Sequence, residues 1–222
     1  SPEKVQQLQE SFNEFADVFP SDEKVNPPVS ALVVHDIDTG DQVPTAARPH
    51  PKPPVKEELE ASLVRKGVED KVLRRGYGPW ASPTIIIKKA GTGENPLTRA
   101  KLAGDYRALN AITLKEGQWP IPLAAELIDF LAGCKYRTHL DLVGGYYAME
   151  LTPAAREKSA IITCLGLFEY LRCPYGLASA PGSFAKMMHL AFSDLAYDFR
   201  VRWYFDDVSL GHDTFDEHLA AL

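Results

Sequence analysis

The sequence has few cysteines and no long apolar run. Only three cysteines occur among the 222 residues, Cys134, Cys164 and Cys173, and no two of them form a Cys-x-x-Cys pair. Their number and spacing argue against a disulfide framework and against a zinc knuckle, and they favour a reducing, intracellular compartment. No apolar stretch approaches the roughly 20 residues that a bilayer span requires, so we expect no membrane partner.

The two ends also lack the features of a complete protein. The N-terminus has neither an initiator Met nor an apolar signal core, and no structural stop closes the C-terminus at Leu222. We therefore expect the chain to be part of a longer polypeptide. Its composition, 45% hydrophobic and 24% charged, is typical of a globular protein that can bury a core.

The charge is unevenly distributed. A net charge of −6, taken alone, argues against a nucleic-acid partner, because such partners require a basic face that displaces counterions. However, residues 48–115 carry 14 basic and 7 acidic side chains, whereas residues 1–47 carry 2 and 9 and residues 116–222 carry 8 and 14. The basic block in the middle fits a nucleic-acid-binding face or an ordinary solvated surface.

The pattern of apolar residues predicts an α+β fold with antiparallel strands. Helices are expected over residues 4–17, from Val55 to about Gly67 with Val55, Leu59, Leu63 and Val64 on one face, from Pro122 to Leu131, and from Ala180 to Leu195. Strands are expected at Thr84–Ile87, Lys101–Ala103, Tyr136–Leu140, Ser159–Cys164, Leu167–Leu171, Val201–Phe205 and Val208–Gly211. The turn-rich residues 90–96 form the predicted tip of a hairpin, and a last short helix begins near the C-terminus. Five prolines between Val43 and Val55 enforce an extended strap.

Three aspartates lie where the chain changes direction. Asp206 and Asp207 stand between two β-rich segments, and Asp141 ends an apolar strand. Asp is a favoured turn residue, so the Asp206-Asp207 pair alone needs no metal. A charge at the end of an apolar strand is costly unless it is paired, metal-bound or at the open end. Three such carboxylates together are what two Mg²⁺ ions require.

Eight short motifs follow one another along the chain: Phe15-Ala-Asp-Val-Phe19, Trp80-Ala-Ser-Pro83, Asp105-Tyr-Arg-Ala-Leu-Asn110, Trp119-Pro-Ile-Pro122, Leu140-Asp-Leu-Val-Gly-Gly-Tyr146, Phe168-Glu-Tyr170, Cys173-Pro-Tyr-Gly-Leu-Ala-Ser-Ala-Pro181 and Tyr204-Phe-Asp-Asp207. By these motifs and their order, the chain resembles the reverse transcriptases of Gypsy-class LTR retrotransposons from about Phe15 to the C-terminus. The resemblance implies the fingers and palm of a right-hand polymerase, without the thumb. It divides the chain into an N-terminal helix and lead-in segment (1–42), a proline-rich strap (43–54), fingers with part of the palm (55–122) and a truncated palm with the Tyr-Phe-Asp-Asp hairpin (123–222).

The resemblance also implies roles for individual residues. Asp141, Asp206 and Asp207, with the Leu142 carbonyl, match ligands of two Mg²⁺ ions, for which Mn²⁺ can substitute. The positions that match nucleotide contacts are Lys89, Lys101, Gly144, Gly145, Tyr146, Tyr175 and Gly176. The positions that match the template and primer path are Asp105, Arg107 and Asn110, on a fingers strand, and Pro181, Tyr204 and Phe205.

Each of these roles has a simpler alternative. Tyr146 matches the aromatic residue that excludes a ribose 2′-hydroxyl, but it is equally suited to a half-buried core. Gly144 and Gly145 can approach a triphosphate closely or can form only a turn. The lysines are also typical of an exposed surface, and Arg107 can pair with Asp105 as a structural salt bridge.

The activity that the resemblance implies is RNA-directed DNA polymerisation. The expected partners are an RNA or DNA template with its primer, dNTPs, and the thumb, connection and RNase H regions of the same polyprotein; a dimer stays open. The expected location is a cytoplasmic particle or the nucleus. An RNA-dependent RNA polymerase is disfavoured by Tyr146.

The sequence departs from the family pattern at several positions. Lys101 replaces an arginine that would contact phosphate at two points, Val143 and Ala148 replace polar residues, and Phe205 replaces a smaller apolar residue. Because the remaining palm strands, the thumb, the connection region and RNase H are missing and would be needed to hold a primer–template, we expect the 222-residue chain alone to be weak or inactive as a polymerase. The alternative function is a catalytically silent scaffold that binds nucleic acid or protein.

Overall fold

The structure, a computed structural model, describes residues 2–19, 26–88, 100–114, 119, 123–198 and 200–222. Within these ranges the α-helices are α1 (Pro2–Glu14), α2 (Pro54–Glu69), α3 (Arg107–Ile112), α4 (Ala124–Ala132), α5 (Pro153–Lys158), α6 (Ala180–Asp198) and α7 (Phe215–Ala220). The strands are β1 (Val34–His35), β2 (Leu73–Arg75), β3 (Ser82–Lys88), β4 (Ala100–Gly104), β5 (Tyr136–Asp141), β6 (Glu150–Leu151), β7 (Ile161–Thr163), β8 (Gly166–Tyr170), β9 (Val201–Tyr204) and β10 (Asp207–His212). Single 3₁₀ turns cover Ala16–Val18 and Gly145–Ala148. The predicted α+β class is confirmed.

The chain divides into two compact units, each assembled from separate stretches of sequence. Unit 1 comprises Ser1–Pro27, Trp119–Gly145 and Ala185–Leu222, and unit 2 comprises Pro28–Gln118 and Tyr146–Phe184. The boundaries assigned above to the lead-in segment, strap, fingers and palm stay predictions.

Unit 1 is organised around a three-stranded antiparallel sheet in the order β5-β10-β9. The central strand β10 pairs Asp207 with Asp141 of β5 and with Tyr204 of β9. Val208 and Leu210 of β10 are buried. Such branched apolar residues favour strands because they pack well on a pleated, half-buried surface.

The hairpin between β9 and β10 differs from its predicted form. The sequence predicted a turn at Asp206-Asp207, whereas the two residues between the strands are Phe205 and Asp206, and Asp207 is the first residue of β10. Phe205 has a φ of +49°. Two-residue hairpin loops require a positive φ at their first position, because only that twist matches the flanking strands. The bulky Phe205 gave no local signal for this conformation.

The chain ends that belong to unit 1 are fixed to this sheet by polar contacts. α7 begins at Thr214, whose hydroxyl accepts a hydrogen bond from the Glu217 N–H at 3.3 Å, and a side-chain cap of this kind stabilises the first helical turn. α1 has no buried residue. Its Lys4 Nζ donates to the Tyr136 hydroxyl at 2.9 Å and lies 4.7 Å from the centre of the Phe215 ring. Lys4 therefore fastens α1 to β5 and α7.

Unit 2 contains a five-stranded sheet in the order β2-β8-β7-β3-β4 and a two-stranded sheet of β1 and β6. The predicted hairpins β3–β4 and β7–β8 are confirmed as antiparallel pairs, although the hairpin tip, residues 90–96, lies outside the described residues. β3 pairs with β7, and β1 with β6, in parallel, whereas only antiparallel pairs were predicted. Parallel partners are distant in sequence, so local periodicity does not reveal them.

The buried face of α2 agrees with the predicted one only in part. Val64 is buried, as predicted, and so are Glu60 and Ala61, whereas Val55 is 79% exposed. The helix also ends at Glu69, beyond the predicted end at Gly67. Apolar spacing misplaced the start of this face because Glu60, the most buried residue in the second turn of α2, is a carboxylate whose partners lie elsewhere in the unit.

Those partners connect the proline-rich strap to the sheet. Lys52 Nζ lies 2.7 Å from Glu60 Oε1, the Thr84 hydroxyl donates to the same oxygen, and the Cys164 N–H donates to Oε2 at 3.1 Å. Burial acts to raise the pKa of Glu60, but the hydrogen bonds from Lys52 and Thr84 outweigh it, so the pKa is lowered. Glu60 therefore stays ionised and holds the strap at Lys52. Within the strap, Ala46 forms an isolated bridge with Ala81 and Pro53 has an extended backbone, whereas Pro54 already begins α2.

Other helices agree with the prediction to within a few residues. α4 begins at Ala124 after the cap Leu123, and the predicted first residue, Pro122, lies outside the described residues. α6 continues three residues beyond the predicted end at Leu195. The short helices α3 and α5 were missed, although Thr152, whose hydroxyl accepts from the Ala155 N–H, and Pro153 are typical of a helix start.

The cysteines form no disulfide, since Cys134, Cys164 and Cys173 are all free thiols. Within the described ranges, no helix is both long enough and apolar enough to cross a membrane.

Candidate active site

The backbone of unit 1 brings the three predicted aspartates to one end of its sheet. Asp141 is the last residue of β5 and Asp207 the first of β10, and the two are direct partners in the antiparallel register. Asp206 precedes Asp207 in the hairpin loop, and its carbonyl accepts a hydrogen bond from the Leu142 N–H at 2.8 Å. This bond joins the end of β5 to the loop, so all four proposed metal-binding residues lie together.

The carboxylates of this end have unequal surroundings. Directly opposed residues of antiparallel strands place their Cβ atoms about 4.5–5.5 Å apart, and like charges in such positions destabilise the sheet. The Asp207 side chain is 44% exposed, and its Oδ1 lies 3.2 Å from His139 Nε2. Asp141 is exposed, whereas the Oδ1 atom of Asp206 is buried. The site is therefore strongly acidic, with His139 close to one of its carboxylates.

The donors fit a divalent cation in chemical type and in backbone register. Carboxylate oxygens are the hard ligands that Mg²⁺ prefers, and a bound cation would relieve the repulsion between Asp141 and Asp207. Among the described residues, however, no three His, Cys, Asp or Glu side chains are gathered closely enough to hold a metal ion. The strand register thus brings the donors to one end of the sheet without gathering three of their side chains around one point.

The loop that carries Asp206 is conformationally strained. A non-glycine residue with positive φ, such as Phe205 at +49°, costs on the order of 1–3 kcal/mol, and such strain is concentrated at functional sites. The Phe205 ring packs edge-on against the Tyr204 ring with their centres 4.9 Å apart. This ring contact lies next to Asp206, whose Oδ1 atom is buried.

The two glycines after β5 form a turn. Gly144 has a φ of +65°, a conformation that favours glycine, and Gly145 is buried at the start of a 3₁₀ turn. The simpler of the two predicted readings, a turn, accounts for Gly144. A contact of either glycine with a triphosphate stays a prediction.

In unit 2 the candidate nucleotide-contacting residues form an aromatic cluster. Tyr146 stacks on Phe184, with ring centres 4.9 Å apart and an angle of 18° between the planes, and Phe184 is fully buried. The Tyr175 ring lies 5.2 Å from Tyr146, and Lys101 Nζ lies 4.7 Å from the centre of the Tyr175 ring. Tyr146 is half-buried, so its ring has one packed face.

The sequence predicted that Asp105, Arg107 and Asn110 lie on a strand, and this prediction is wrong. β4 ends at Gly104, and Arg107 and Asn110 belong to α3. Arg107 makes two hydrogen bonds, of 2.8 and 2.6 Å, to the Asp105 carboxylate, and they lower the pKa of Asp105. The salt-bridge alternative for Arg107 is therefore present in the structure.

Asn110 has a defined structural contact. Its Nδ2 donates to the Gly176 carbonyl and its Oδ1 accepts from the Ala178 N–H, both at 2.8 Å. Gly176 has a φ of +98°, which favours glycine. Asn110 thus fixes the segment that follows Tyr175.

Two predicted residues remain to be placed. Lys89 lies outside the described residues, and Pro181 lies in the first turn of α6.

Two side chains beside the carboxylates were missed by the sequence analysis. His139 and Ser209 are cross-strand partners one pleat away from Asp141 and Asp207, on the same face of the sheet. Alternation along β5 from Asp141 would have identified His139, because residues two apart in a strand share a face.

The chain is similar in sequence to a known family and to known proteins. The family described as reverse transcriptase (RNA-dependent DNA polymerase) matches residues 87–222, more than half of the chain. The retrovirus-related Pol polyprotein from transposon 412 of Drosophila melanogaster is 28% identical over 189 residues, which cover 85% of this chain and 15% of that protein. The chain therefore spans only a small part of this relative.

Solved structures show the same fold. The prototype foamy virus protease-reverse transcriptase superimposes with a TM-score of 0.79 at 23% identity, covering 100% of this chain and 28% of that one. A foamy viral protease-reverse transcriptase in complex with an RNA/DNA hybrid gives a TM-score of 0.77 at 19% identity, covering 99% and 28%. The predicted polymerase fold is confirmed, whereas the Gypsy class stays a prediction. The chain belongs to the reverse transcriptase (RNA-dependent DNA polymerase) family.

Proposed function

We propose that this chain carries the catalytic centre of an RNA-directed DNA polymerase that adds deoxynucleotides to the 3′-hydroxyl of a primer. The observation that carries the proposal is the register of unit 1, which pairs Asp207 directly with Asp141 and places Asp206 in the adjoining loop. Membership of the reverse transcriptase family supports it. Retrotransposon polyproteins among the relatives suggest that the enzyme acts within such an element.

The residues that would hold two Mg²⁺ ions are Asp141, Asp206, Asp207 and the Leu142 carbonyl. When bound, the ions supply activation of the primer hydroxyl and stabilisation of the departing pyrophosphate. The protein contributes the positions of the donors: the Leu142 N–H bond to Asp206 ties the loop to β5, and the paired register aligns Asp207 with Asp141.

Tyr146 is the proposed determinant for deoxynucleotides. Its stacking on the buried Phe184 supports this role, because a ring packed on one side cannot retreat from an added 2′-hydroxyl. Lys101 lies beside Tyr175 in the same unit and is the proposed phosphate contact among the described lysines. An ammonium group binds phosphate as a point charge, without the two-point geometry of arginine.

The proposed macromolecular partner is a primer paired with an RNA or DNA template. The basic block over residues 48–115 supports it, since neutralisation of phosphates dominates nucleic-acid affinity. The related foamy viral enzyme forms complexes with an RNA/DNA hybrid and with double-stranded DNA. We extend that partner class to this chain as part of the proposal.

Primer extension tests the proposal. The substrate is poly(rA)·oligo(dT) with Mg²⁺, and the proteins compared are the 222-residue chain and a longer protein that continues through its native downstream sequence. Asp206→Asn should reduce extension by about 100-fold or more, because it removes a charge that acts on the transition state. The matched control is Asp213→Asn, which changes an exposed aspartate paired with Arg200 outside the site.

A second candidate function is a silent scaffold that binds nucleic acid or protein. It is favoured by the spacing of the described side chains, which do not gather three metal ligands around one point. A folded longer protein that retains RNA/DNA binding but gives no extension above the Asp206→Asn level would support the scaffold and contradict the polymerase.

A further inference from the structure

Three side chains follow one another on the acidic face of the unit 1 sheet, joined by one hydrogen bond and one contact at ion-pair distance. Ser209 Oγ lies 2.8 Å from His139 Nδ1, and His139 Nε2 lies 3.2 Å from Asp207 Oδ1. Ser209 and His139 are cross-strand partners, and Asp207 is two residues from Ser209 along β10. All three side chains therefore project from the face that also carries Asp141.

The donor at each step follows from the chemistry of the groups. Nε2 of His139 lies 3.2 Å from Asp207 Oδ1, and because an ionised carboxylate only accepts, a hydrogen bond between them would place a proton on Nε2. In the neutral ring, Nδ1 then accepts, and the Ser209 hydroxyl donates to it. Ser209 thus selects the His139 tautomer, and His139 in turn orients the Asp207 carboxylate.

The order Ser-His-Asp also occurs in hydrolases, where the serine is a nucleophile. Ser209 has no exposed surface. A nucleophile must reach a substrate, so this arrangement has no hydrolytic use. The remaining role for the three side chains is to orient the Asp207 carboxylate.

We propose that His139 is a positioning residue for the metal-binding carboxylate Asp207, and that Ser209 sets its tautomer. This inference rests on the proposed polymerase function. The His139 contact engages Oδ1 of Asp207 and leaves Oδ2 as the oxygen available for a cation. The same contact places an N–H dipole against the Asp207 carboxylate, which lies directly opposite Asp141 across the strands. Outer contacts of this kind typically change metal affinity by about 10–100-fold.

The competing interpretation is an incidental surface contact. The side chains of His139 and Asp207 are 57% and 44% exposed, and exposed ion pairs are commonly worth about 0–1 kcal/mol. Ser209 distinguishes the two interpretations. Its buried hydroxyl contacts the His139 ring and restricts the orientation of that ring, whereas an incidental surface pair needs no such restriction. The experiment must therefore read out the ring itself as well as cation binding.

The first measurement is made without metal. Long-range ¹H–¹⁵N NMR of the histidine-labelled chain should show His139 as the Nε2–H tautomer. Ser209→Ala should shift the Nδ1 resonance and increase the other tautomer, and Asp207→Asn should shift the Nε2 resonance. A His139 ring that averages freely between tautomers in the parent protein would overturn the proposal.

The second measurement is binding of Mn²⁺, followed by electron paramagnetic resonance. His139→Phe should weaken Mn²⁺ binding about 10-fold, whereas His139→Gln, which can still donate an N–H to Asp207, should stay within about threefold of the parent. Asp207→Asn serves as the reference for loss of the ligand itself. Unfolding curves of each variant show whether it remains folded.

The outcomes separate this inference from the function on which it rests. If Asp207→Asn abolishes Mn²⁺ binding while His139→Phe binds as tightly as the parent, the positioning role is wrong and the metal role of Asp207 stands. If Asp207→Asn leaves Mn²⁺ binding unchanged, the proposed metal site fails and the inference fails with it. Weak binding by His139→Phe with recovery in His139→Gln supports both.

Discussion

Glu60 in unit 2 and the three aspartates in unit 1 are carboxylates in opposite situations. Glu60 is almost fully buried, yet Lys52, Thr84 and the Cys164 N–H supply donors to both of its oxygens. Asp207 faces another acid across the strands and lies within reach of one half-exposed histidine. A carboxylate whose hydrogen-bond donors come from the protein has a structural role. Acids placed opposite each other are instead stabilised when a cation binds between them.

This contrast concerns stability as well as function. Satisfying Glu60 joins the strap, α2, β3 and the β7–β8 turn, so its charge contributes to the fold. The aspartates instead oppose the fold locally, because like charges are paired in the register and Phe205 is held at positive φ. Substitutions in the two places should therefore have effects of opposite sign on the free energy of unfolding.

The largest effect is expected from Glu60→Ala. Removing one partner of a buried ion pair leaves the other charge uncompensated, which typically costs about 3–5 kcal/mol. Here Lys52 would keep its charge with only 11% of its side chain exposed. Urea unfolding of the variant should show this loss. Glu58→Ala, an exposed acid on the same helix, is the matched control and should change stability by less than about 0.5 kcal/mol.

A double substitution sharpens the test. Lys52→Met with Glu60→Leu removes both charges and should recover much of the lost stability, since apolar replacement of a whole buried pair is often neutral. If Glu60→Ala unfolds at the same urea concentration as the parent, the cluster does not fasten the strap.

A pH-dependent effect is expected from His35, another buried group of unit 2. Burial lowers the pKa of His35 from 6.5 to about 4, although the nearby Asp36 acts to raise it. Its Nδ1 lies 2.8 Å from Ser183 Oγ and its Nε2 lies 3.3 Å from Ser179 Oγ. The ring is therefore neutral in the folded protein at pH values where the unfolded chain already binds a proton.

The direction of the effect follows from proton linkage. His35 stabilises the fold fully above about pH 6.5, and that contribution is lost as the pH falls to about 4, where it levels off. The loss from this one residue is up to about 3 kcal/mol. Unfolding free energies of the parent and of His35→Gln, measured across that window, should differ in slope. Identical slopes would show that His35 is not buried in its neutral form.

The sequence predicted the groups that follow from local patterns and missed those that depend on distant partners. The hairpins β3–β4 and β7–β8 were predicted because their strands adjoin in sequence. The parallel pairing of β3 with β7 joins residues almost 80 positions apart, such as Ser82 and Ile161, and no periodicity marks it. In the same way, Val55 was assigned to a buried face that Glu60 occupies, because the partners Lys52 and Cys164 are not visible in a helical pattern.

At the candidate site, the position of the aspartates in sequence predicted that they lie near one another, but not how. The turn was placed at Asp206-Asp207 because Asp is a typical turn residue, whereas tertiary constraints put Phe205 in the turn at positive φ. That difference moves Asp207 into β10 and opposite Asp141. His139 was passed over as an ordinary strand residue, since only the register with β10 shows its contacts with Asp207 and Ser209.

The smallest expected effect, and the one of opposite sign, is that of Asp141→Asn. The substitution keeps the shape of the side chain and removes the like charge opposite Asp207, so stability in metal-free buffer should rise by roughly 0.2–1 kcal/mol. Asp213→Asn, whose partner is Arg200, lacks an opposing acid and should give no such gain. Raising the salt concentration should shrink the difference, because exposed charges are screened.

Activity gives the other half of this comparison. In the longer protein, Asp141→Asn should lose primer extension while gaining stability. The carboxylate that repels Asp207 is also one of the ligands proposed to bind the cation, so its removal affects both properties. If Asp141→Asn instead destabilises the metal-free protein by 1 kcal/mol or more, Asp141 is satisfied within the fold as Glu60 is. The distinction between carboxylates that stabilise the fold and carboxylates that bind a cation would then not hold for unit 1.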